Sequence, residues 1–444
     1  ARTQILNGMD IGLYSLFGQY DKELLADYDL FALDGSRGGG QLDLAAVCDE
    51  LEAYMNPVLK QNSQKLTLCQ SGLTGYRLLT DQKGEAFYQQ IVGYMQETLG
   101  SQGIQLLLGR MSERQEKTAQ ADQSANQAQS KGSIDRYDSE MNQASEKSQQ
   151  AAEEAQVVPQ APPAKNPITI MKRIMKRGVL ELVLPGGNGL STKEIEKGTL
   201  VSGRGLQQGM EMPDGMTVEN SYTSEVLFQQ YLMEHLGSYA EPSSAGLAYQ
   251  MEYVFGGKNS DEDNLKAVAS KLLFIREGVN FACLMADNVK RSEAQALATA
   301  IASGFLVPPA AVIIEAALIL CWAFAESVLD VRELFAGGRI PLVKSSGDWQ
   351  ISLGNLPDLM EGLDSMRRND EKGMSYKDYL QVLVLTVSKE KKVMRAMDMI
   401  ENTIREKGRR NFCMDSCIVA LEAFADVKAN KKKDFQVIRQ YCYE

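Results

Sequence analysis

Few residues in this chain could do chemistry. One histidine occurs, His235, in "YLMEHLGSYA". A Ser-His or Cys-His relay would depend on that single imidazole, and a histidine-rich metal site is excluded. Phe228, Leu232 and Leu236 form an apolar row at helical steps of four, and His235 lies beside it in line with Leu227 and Tyr231. This reads as a histidine on the border of a helix's buried face. Four carboxylates make a second candidate. On a helix turning about 100° per residue, Glu315, Glu326, Asp330 and Glu333 fall within about one-sixth of the circumference. Such a stripe is either a metal or acid/base site, or a face that is wet or paired with Lys and Arg from a neighbouring helix. The paired or solvated face is the preferred reading, so the stripe has no assigned role.

The stretch "YDLFALDGSRGGGQLDLAAV", residues 28–47, has the order strand, glycine turn, helix start that phosphate-binding loops use. A P-loop needs GxxxxGK[ST], but Gln41 and Leu42 follow Gly38, Gly39 and Gly40. The spacing to Gly35 does not fit GxGxxG either. "SGRGLQQG" is one residue too wide for that fingerprint, and "FGGKNSDEDN" has Asn259 after its Gly-Lys pair. The latter reads as a helix start capped by Ser260, with Asp261, Glu262 and Asp263 in the positive first turn. No GxSxG, HExxH or kinase set is present. We therefore expect no enzyme, no nucleotide site, no cofactor and no metal.

Seven cysteines occur with no CxxC pair, which argues against zinc ribbons and thioredoxin-like sites. A hairpin symmetric about Ala429 and Asn430 would set Cys417 opposite Cys442, within bridging reach. Two thiols are the preferred state and a disulfide the alternative. A net charge of −11 argues against nucleic acid as a partner.

The elements that would position these residues follow from periodicity. Ile5, Met9, Leu13, Leu16, Tyr20 and Leu24 predict one long amphipathic N-terminal helix. "YDLFALD" reads as a strand, "LDLAAVCDELEAYMNPVL" as a helix, "KLTLCQSGLTGYRLLTD" as a strand or bent strand pair, and "KGEAFYQQIVGYMQETLG" as a helix ended by Gly100. Residues 112–156 are poor in large apolar side chains and read as a solvated helical excursion or a disordered insertion, closed by the proline-rich "VVPQAPPAKNP". "NPITIMKRIMKRG" is a helix with Asn166 as cap, and "VLELVLP" a strand; "STKEIEKGTLVSGRGLQQGMEMPDGM" reads as a surface loop. Pro309 to Leu334 is apolar enough to raise a membrane span, but its carboxylates make it a core helix, opened by prolines and closed by Gly337 and Gly338. "GGRIPLVKSSGDWQISL" reads as strand within an otherwise helical stretch, and the chain ends in a hairpin.

The expected fold class is α+β: a long N-terminal amphipathic helix on a small sheet, a large mainly helical middle, and a C-terminal β-hairpin. The expected divisions are 1–109, a helix-plus-sheet region; 110–165, a polar insertion and linker; 166–221, a helix, strand and glycine-rich loop; 222–410, a helical domain; and 411–444, a hairpin returning to the sheet.

"DIGLYSLFGQYDKELLADYDLFALDG" resembles the segment just beyond the membrane helix of TadE/TadG-like pseudopilins of tight-adherence pili. "YRLLTDQKGEAFYQQIVGYMQ" resembles the next block of a related bacterial family of unknown function that accompanies such pilus genes. The likeness continues through "NPITIMKRIMKRGVLELVLP", "YVFGGKNSDEDNLKAVASKLLFIREGVNFACL", "AFAESVLDVRELFAGGRIPLVKSSGDWQ" and "MSYKDYLQVLVL". These blocks span most of the chain outside 112–156, and the pilin-like part rests on about the first hundred residues. The resemblance implies an extracytoplasmic, cell-surface structural protein with a pilin-like N-terminal region. It also implies partners among pilin-like subunits or pilus assembly proteins, and a membrane contact through an N-terminal anchor absent from this chain. The uncapped start of the first helix, as if cut from a longer one, agrees with such an anchor. The alternatives are a soluble helical adaptor or binding protein, or a carboxylate-based enzyme using Glu315, Glu326 and Asp330.

Overall fold

The computed structural model of the protein describes residues 1–61, 66–130, 167–184, 189–210, 221–304, 310–358, 373–429 and 433–443, with residues 137, 139, 142, 143, 146 and 212. In chain order the elements are α1 Arg2–Phe17, α2 Lys22–Tyr28, β1 Leu33–Asp34, α3 Leu44–Lys60, β2 Leu66–Leu78, α4 Asp81–Ser130, α5 Pro167–Met175, α6 Val179–Val183 and α7 Tyr222–His235. They continue with α8 Gln250–Gly256, α9 Asp261–Ala286, α10 Asn288–Gly304, α11 Ala311–Phe335, β3 Arg339–Ile340, β4 Met374–Ser375, α12 Tyr376–Leu385, α13 Lys389–Glu406, β5 Cys417–Ala429 and β6 Lys433–Cys442. The protein is α+β. Its chain forms two compact units: residues 1–109, 191–264 and 384–444 make the first, and 110–190 and 265–383 the second. The helical stretch 222–410 is thus shared between both units.

In the first unit the centre of the sheet is β5. It pairs antiparallel with β2 on one side, and with β6 and then β1 on the other. Leu421, Ala423, Ala425 and Val427 recur at every second residue of β5 and join the core with Ile5, Met9, Leu13, Leu16 and Phe17 of α1 and Val47, Leu51 and Met55 of α3. Each large aliphatic side chain so buried contributes about 1.5–3 kcal/mol. Gly8 and Gly12 let α1 and α3 approach: a Cβ on Gly12 would lie 2.6 Å from Met55 Cγ, and one on Gly8 3.1 Å from Leu59 Cδ2.

The N-terminal helix is shorter than its apolar spacing predicts. It stops at Phe17, and the chain turns before Asp21 caps α2 by accepting the N–H groups of Glu23 and Leu24 at 3.0 Å each. Tyr20 and Leu24 therefore continue the spacing but not the helix. Only Leu33 and Asp34 of "YDLFALD" are strand, because α2 runs on to Tyr28 and Asp29 ends it in the left-handed region at φ 52°. Gly100, at φ 61° and ψ 173°, ends one helical stretch of α4 as expected, and a second begins after it. Beyond Gly100 the helix runs to Ser130, with Met111, Thr118, Ala121 and Ala125 buried, so this part of the polar segment is packed. Small side chains explain it: Gly278 sits so close that a Cβ there would lie 2.3 Å from the Ala125 backbone.

In the second unit α11 is buried along most of its length among α5, α6, α10 and β3. It is the one described helix long and apolar enough to cross a membrane, yet it is a core helix here, as its carboxylates suggest. "VLELVLP" forms α6 and not a strand, with Leu182 and Val183 buried against α11. Arg332 Nη1 donates to the Leu182 and Leu184 carbonyls at 3.2 and 3.1 Å, satisfying the end of that short helix. In "GGRIPLVKSSGDWQISL" only Arg339 and Ile340 are strand; short 3-10 turns at Ser346–Asp348 and from Leu353 interrupt an otherwise irregular course. The Asn166 cap, the Pro308 and Pro309 helix opening, the proline-rich linker and the lysine-rich hairpin turn lie outside the described residues.

Candidate functional site

The four carboxylates of α11 separate into two kinds. Glu326 and Asp330 are fully buried, while Glu315 and Glu333 are half-buried. Lys344 Nζ lies 2.5 Å from Glu326 Oε1 and 2.6 Å from Asp330 Oδ1. Arg276, from α9, donates through Nε and Nη2 to Asp330 Oδ2 at 3.0 and 2.8 Å, and through Nη1 to the carbonyls of Pro341 and Leu342 at 3.0 and 2.9 Å. Asn280 Nδ2 adds 2.9 Å bonds to Asp330 and Ser327. The remaining Glu326 capacity accepts the N–H groups of Gln350 and Ile351 at 3.1 and 3.0 Å. Burial alone would raise the Asp330 carboxyl, but Arg276 and Lys344 outweigh it and hold the group below its ordinary range. Two buried anions thus meet two buried cations. What the quartet does is pin the irregular 341–351 segment onto α9 and α11. Of the two expected faces, wet or paired with Lys and Arg of a neighbouring helix, Glu326 and Asp330 show the paired one, with Arg276 from helix α9 but Lys344 from a non-helical segment. Arg276 and Lys344 were not legible as partners, because 50 or more residues separate Arg276 from the segments it joins.

His235 ends α7 and stacks on Tyr231 with ring centroids 4.0 Å apart. Its Nε2 is 3.2 Å from Asp29 Oδ2 and its Nδ1 3.0 Å from the Tyr231 carbonyl. Tyr28 and Tyr94 rings lie within 6.5 Å and 6.4 Å. The imidazole is the border residue its spacing predicts, and it ties α7 to the strained C-terminus of α2.

The Cys417–Cys442 bridge is ruled out by register. The hairpin is centred at residue 431, so Cys442 faces Ala420 while Cys417 pairs with Asp34 of β1. That centre is one and a half residues further along than a turn about Ala429 and Asn430, which slides the facing residue by three. Cys417 is buried, Cys442 is exposed, and no disulfide joins them.

In the glycine-rich turn after β1 the Gly38 N–H meets a carboxylate. Asp34 accepts from Ser36 N at 2.9 Å, Ser36 Oγ at 2.6 Å and Gly38 N at 3.1 Å, and Arg409 Nη2 approaches it at 3.0 Å. The turn needs glycine at Gly40, where φ is +82° and a Cβ would lie 2.5 Å from the Asn411 carbonyl oxygen. The later glycine-rich segment is also anchored. Arg204 grips Glu401 through two bonds of 2.5 and 2.8 Å and reaches Asp415 at 2.5 Å. Ser202 donates to Asp398 at 2.5 Å through Oγ and 2.8 Å through N, and Tyr253 Oη donates to Asp398 at 2.7 Å. Burial raises the Asp398 and Glu401 carboxyls, an effect their hydrogen-bond donors only partly offset. A segment that reads as a loose surface loop is in fact clamped to α13.

Among the described residues no group of three His, Cys, Asp or Glu could hold a metal ion. The surface feature that stands out is an open groove of about 630 Å³ lined by Phe31, Gln440, Tyr441, Cys442 and Tyr443. Phe17 packs on Tyr441 and Tyr443 at 4.7 and 4.8 Å, and Phe31 stacks on Tyr443 at 5.7 Å. The lining is mixed, with aromatic rings beside the Gln440 amide, the Cys442 thiol and the tyrosine hydroxyls.

Residues 159–429 match a family described as "Family of unknown function (DUF5702)", and the chain belongs to that family. No curated protein and no solved structure matches the chain.

Proposed function

We propose that this member of a family of unknown function is a non-catalytic, pseudopilin-like structural or assembly protein of a tight-adherence or type IV pilus-like surface system. In this reading it works outside the cytoplasm on a membrane anchor. The observation that supports it is α1, whose Ile5, Met9, Leu13, Leu16 and Phe17 share one core with α3 and the antiparallel sheet. That arrangement agrees with the resemblance of the first hundred residues to the post-membrane segment of TadE/TadG-like proteins. The family match lies outside α1 to α4 and adds nothing to this reading. The pairing of Glu326 and Asp330, two of the three carboxylates of the enzyme alternative, with Lys344 and Arg276 supports the non-catalytic reading.

Protease treatment of intact cells, followed by immunodetection, tests the location. The expected result is cleavage without lysis and recovery of the protein in the membrane fraction. Co-purification after mild cross-linking should then retrieve pilin-like subunits. A protease-protected protein found in the cytosolic fraction would overturn the proposal in favour of a soluble adaptor.

A further inference from the structure

β6 is an edge of the sheet, and its outer side is open: among the described residues no other strand pairs with it beyond β5. Tyr443 N donates to the Val419 carbonyl at 3.0 Å, continuing the unbroken register of β5 and β6. Odd-numbered residues of β6 therefore exchange the backbone bonds with β5, and Asp434, Gln436, Ile438 and Gln440 direct their N–H and C=O groups outward. The side chains of these four are exposed on the sheet face away from the helices, and Ile438 is 50% exposed beside Phe424. On the other face α1 follows the same strand, with Arg439 Nε 2.9 Å from Asp10 and Tyr14 edge-on to Tyr441. Tyr14 is 69% exposed and sits on the side of α1 away from Gly8 and Gly12, which face α3; Ile11 beside it is 47% exposed. Exposed apolar side chains thus gather on both faces of one open edge, whose charges Asp434 and Arg439 are already engaged by Lys428 and Asp10.

We propose that this edge pairs antiparallel with β6 of a second copy of the chain, about a two-fold axis at Ile438. The sequence of the strand selects a second copy. Centred there, the ladder sets Ile438 against Ile438, Gln436 against Gln440, Asp434 against Cys442, Val437 against Arg439, and Phe435 against Tyr441. No like charges face one another, the outward backbone groups at Gln436, Ile438 and Gln440 gain partners, and the two isoleucines cover each other. Moving the axis by one residue sets Ile438 against Gln436 or Gln440, the latter also placing Arg439 against Arg439, and leaves the isoleucines apart. The contact is isologous and closes as a dimer. Both α1 helices then lie on the same face of one continuous sheet.

Sedimentation velocity on the full chain tests this. The wild-type chain should be a dimer at micromolar concentration, and Ile438→Lys should weaken dimerisation at least about tenfold with an unchanged circular dichroism spectrum, since exposed-edge lysines oppose such pairing. Independently, Ile438→Cys in a Cys69→Ser/Cys442→Ser background should oxidise to a reducible dimer, because facing residues of such a pair have Cα atoms about 5.5 Å apart. Asp434→Cys in that background should not, its two copies being roughly 26 Å apart along the strand. A monomeric wild-type chain, a dimer indifferent to Ile438→Lys, or cross-linking at Asp434→Cys in place of Ile438→Cys would overturn the proposal.

Discussion

Glu277 and Asp330 occupy the same unit and titrate in opposite directions for physical reasons that are easy to separate. Asp330 has Arg276 and Lys344 within bonding distance and stays charged. Glu277 is largely enclosed, and burial alone pushes its carboxyl up to about 7. A carboxyl raised above its unfolded value binds more protons in the folded state, so stability is full below the unfolded value and falls as pH rises toward 7. The loss amounts to at most about 3 kcal/mol, since holding a proton to a pH one higher corresponds to about 1.4 kcal/mol. Glu277→Gln should therefore stabilise the protein at pH 8 and change little at pH 4.5, as denaturant titrations at the two pH values would show. An equal effect at both would mean that the gain is not electrostatic. At this scale the sequence marked Glu326 and Asp330 correctly as members of a stripe. It did not mark Glu277, because an isolated carboxylate on a helix gives no signal until its surroundings are known.

Between elements the decisive contacts are made by residues without large side chains. Gly8 and Gly12, one helical turn apart, form the seat for Leu59 and Met55 of α3. Gly12→Val would force the helices apart and should cost about 1–3 kcal/mol, the usual penalty for overpacking. A thermal melt would read this, and Asn7→Val, at an exposed position of α1, serves as the control for a β-branched residue in a helix. The hairpin belongs to this scale too. Alternation in "SCIVALEAFADV" and "DFQVIRQYCYE" predicts two strands, and two strands form, but the facing pairs depend on where the turn is centred. A register slid by three residues removed the Cys417–Cys442 bridge while leaving both strands as expected. Likewise "VLELVLP" is short and apolar enough for either strand or helix. Contact with α11, and the carbonyl bonds of Arg332, stand with the helical choice.

At the scale of the chain, the first unit draws its sheet from both ends of the sequence. Leu33 and Asp34 pair with Cys417 and Ile418, and the face of α1 rests on residues more than 400 positions away, with Arg439 meeting Asp10. Removal of residues 411–444 should therefore strip the apolar faces of α1 and α3. The shortened chain should bind a hydrophobic dye and lose one cooperative melting step, whereas full cooperativity without dye binding would show that the sheet is dispensable. The clamp of Arg204 on Glu401 and Asp415 is of the same long-range kind.

By itself the sequence determined the class α+β, the carriers of the apolar faces, the place of the C-terminal hairpin and the absence of every phosphate, zinc or nucleophile motif tested. These rest on periodicity and on residue types at short spacing, which act within a few turns of chain. Only the tertiary structure decided which charges neutralise Glu326 and Asp330, where the hairpin register falls, and that Ser202 and Arg204 tie a glycine-rich segment to α13. It alone decided which elements cover α11, the core helix that its carboxylates predict. Each of these depends on partners brought together across tens to hundreds of residues, and no local pattern encodes a desolvation or a bond of that reach.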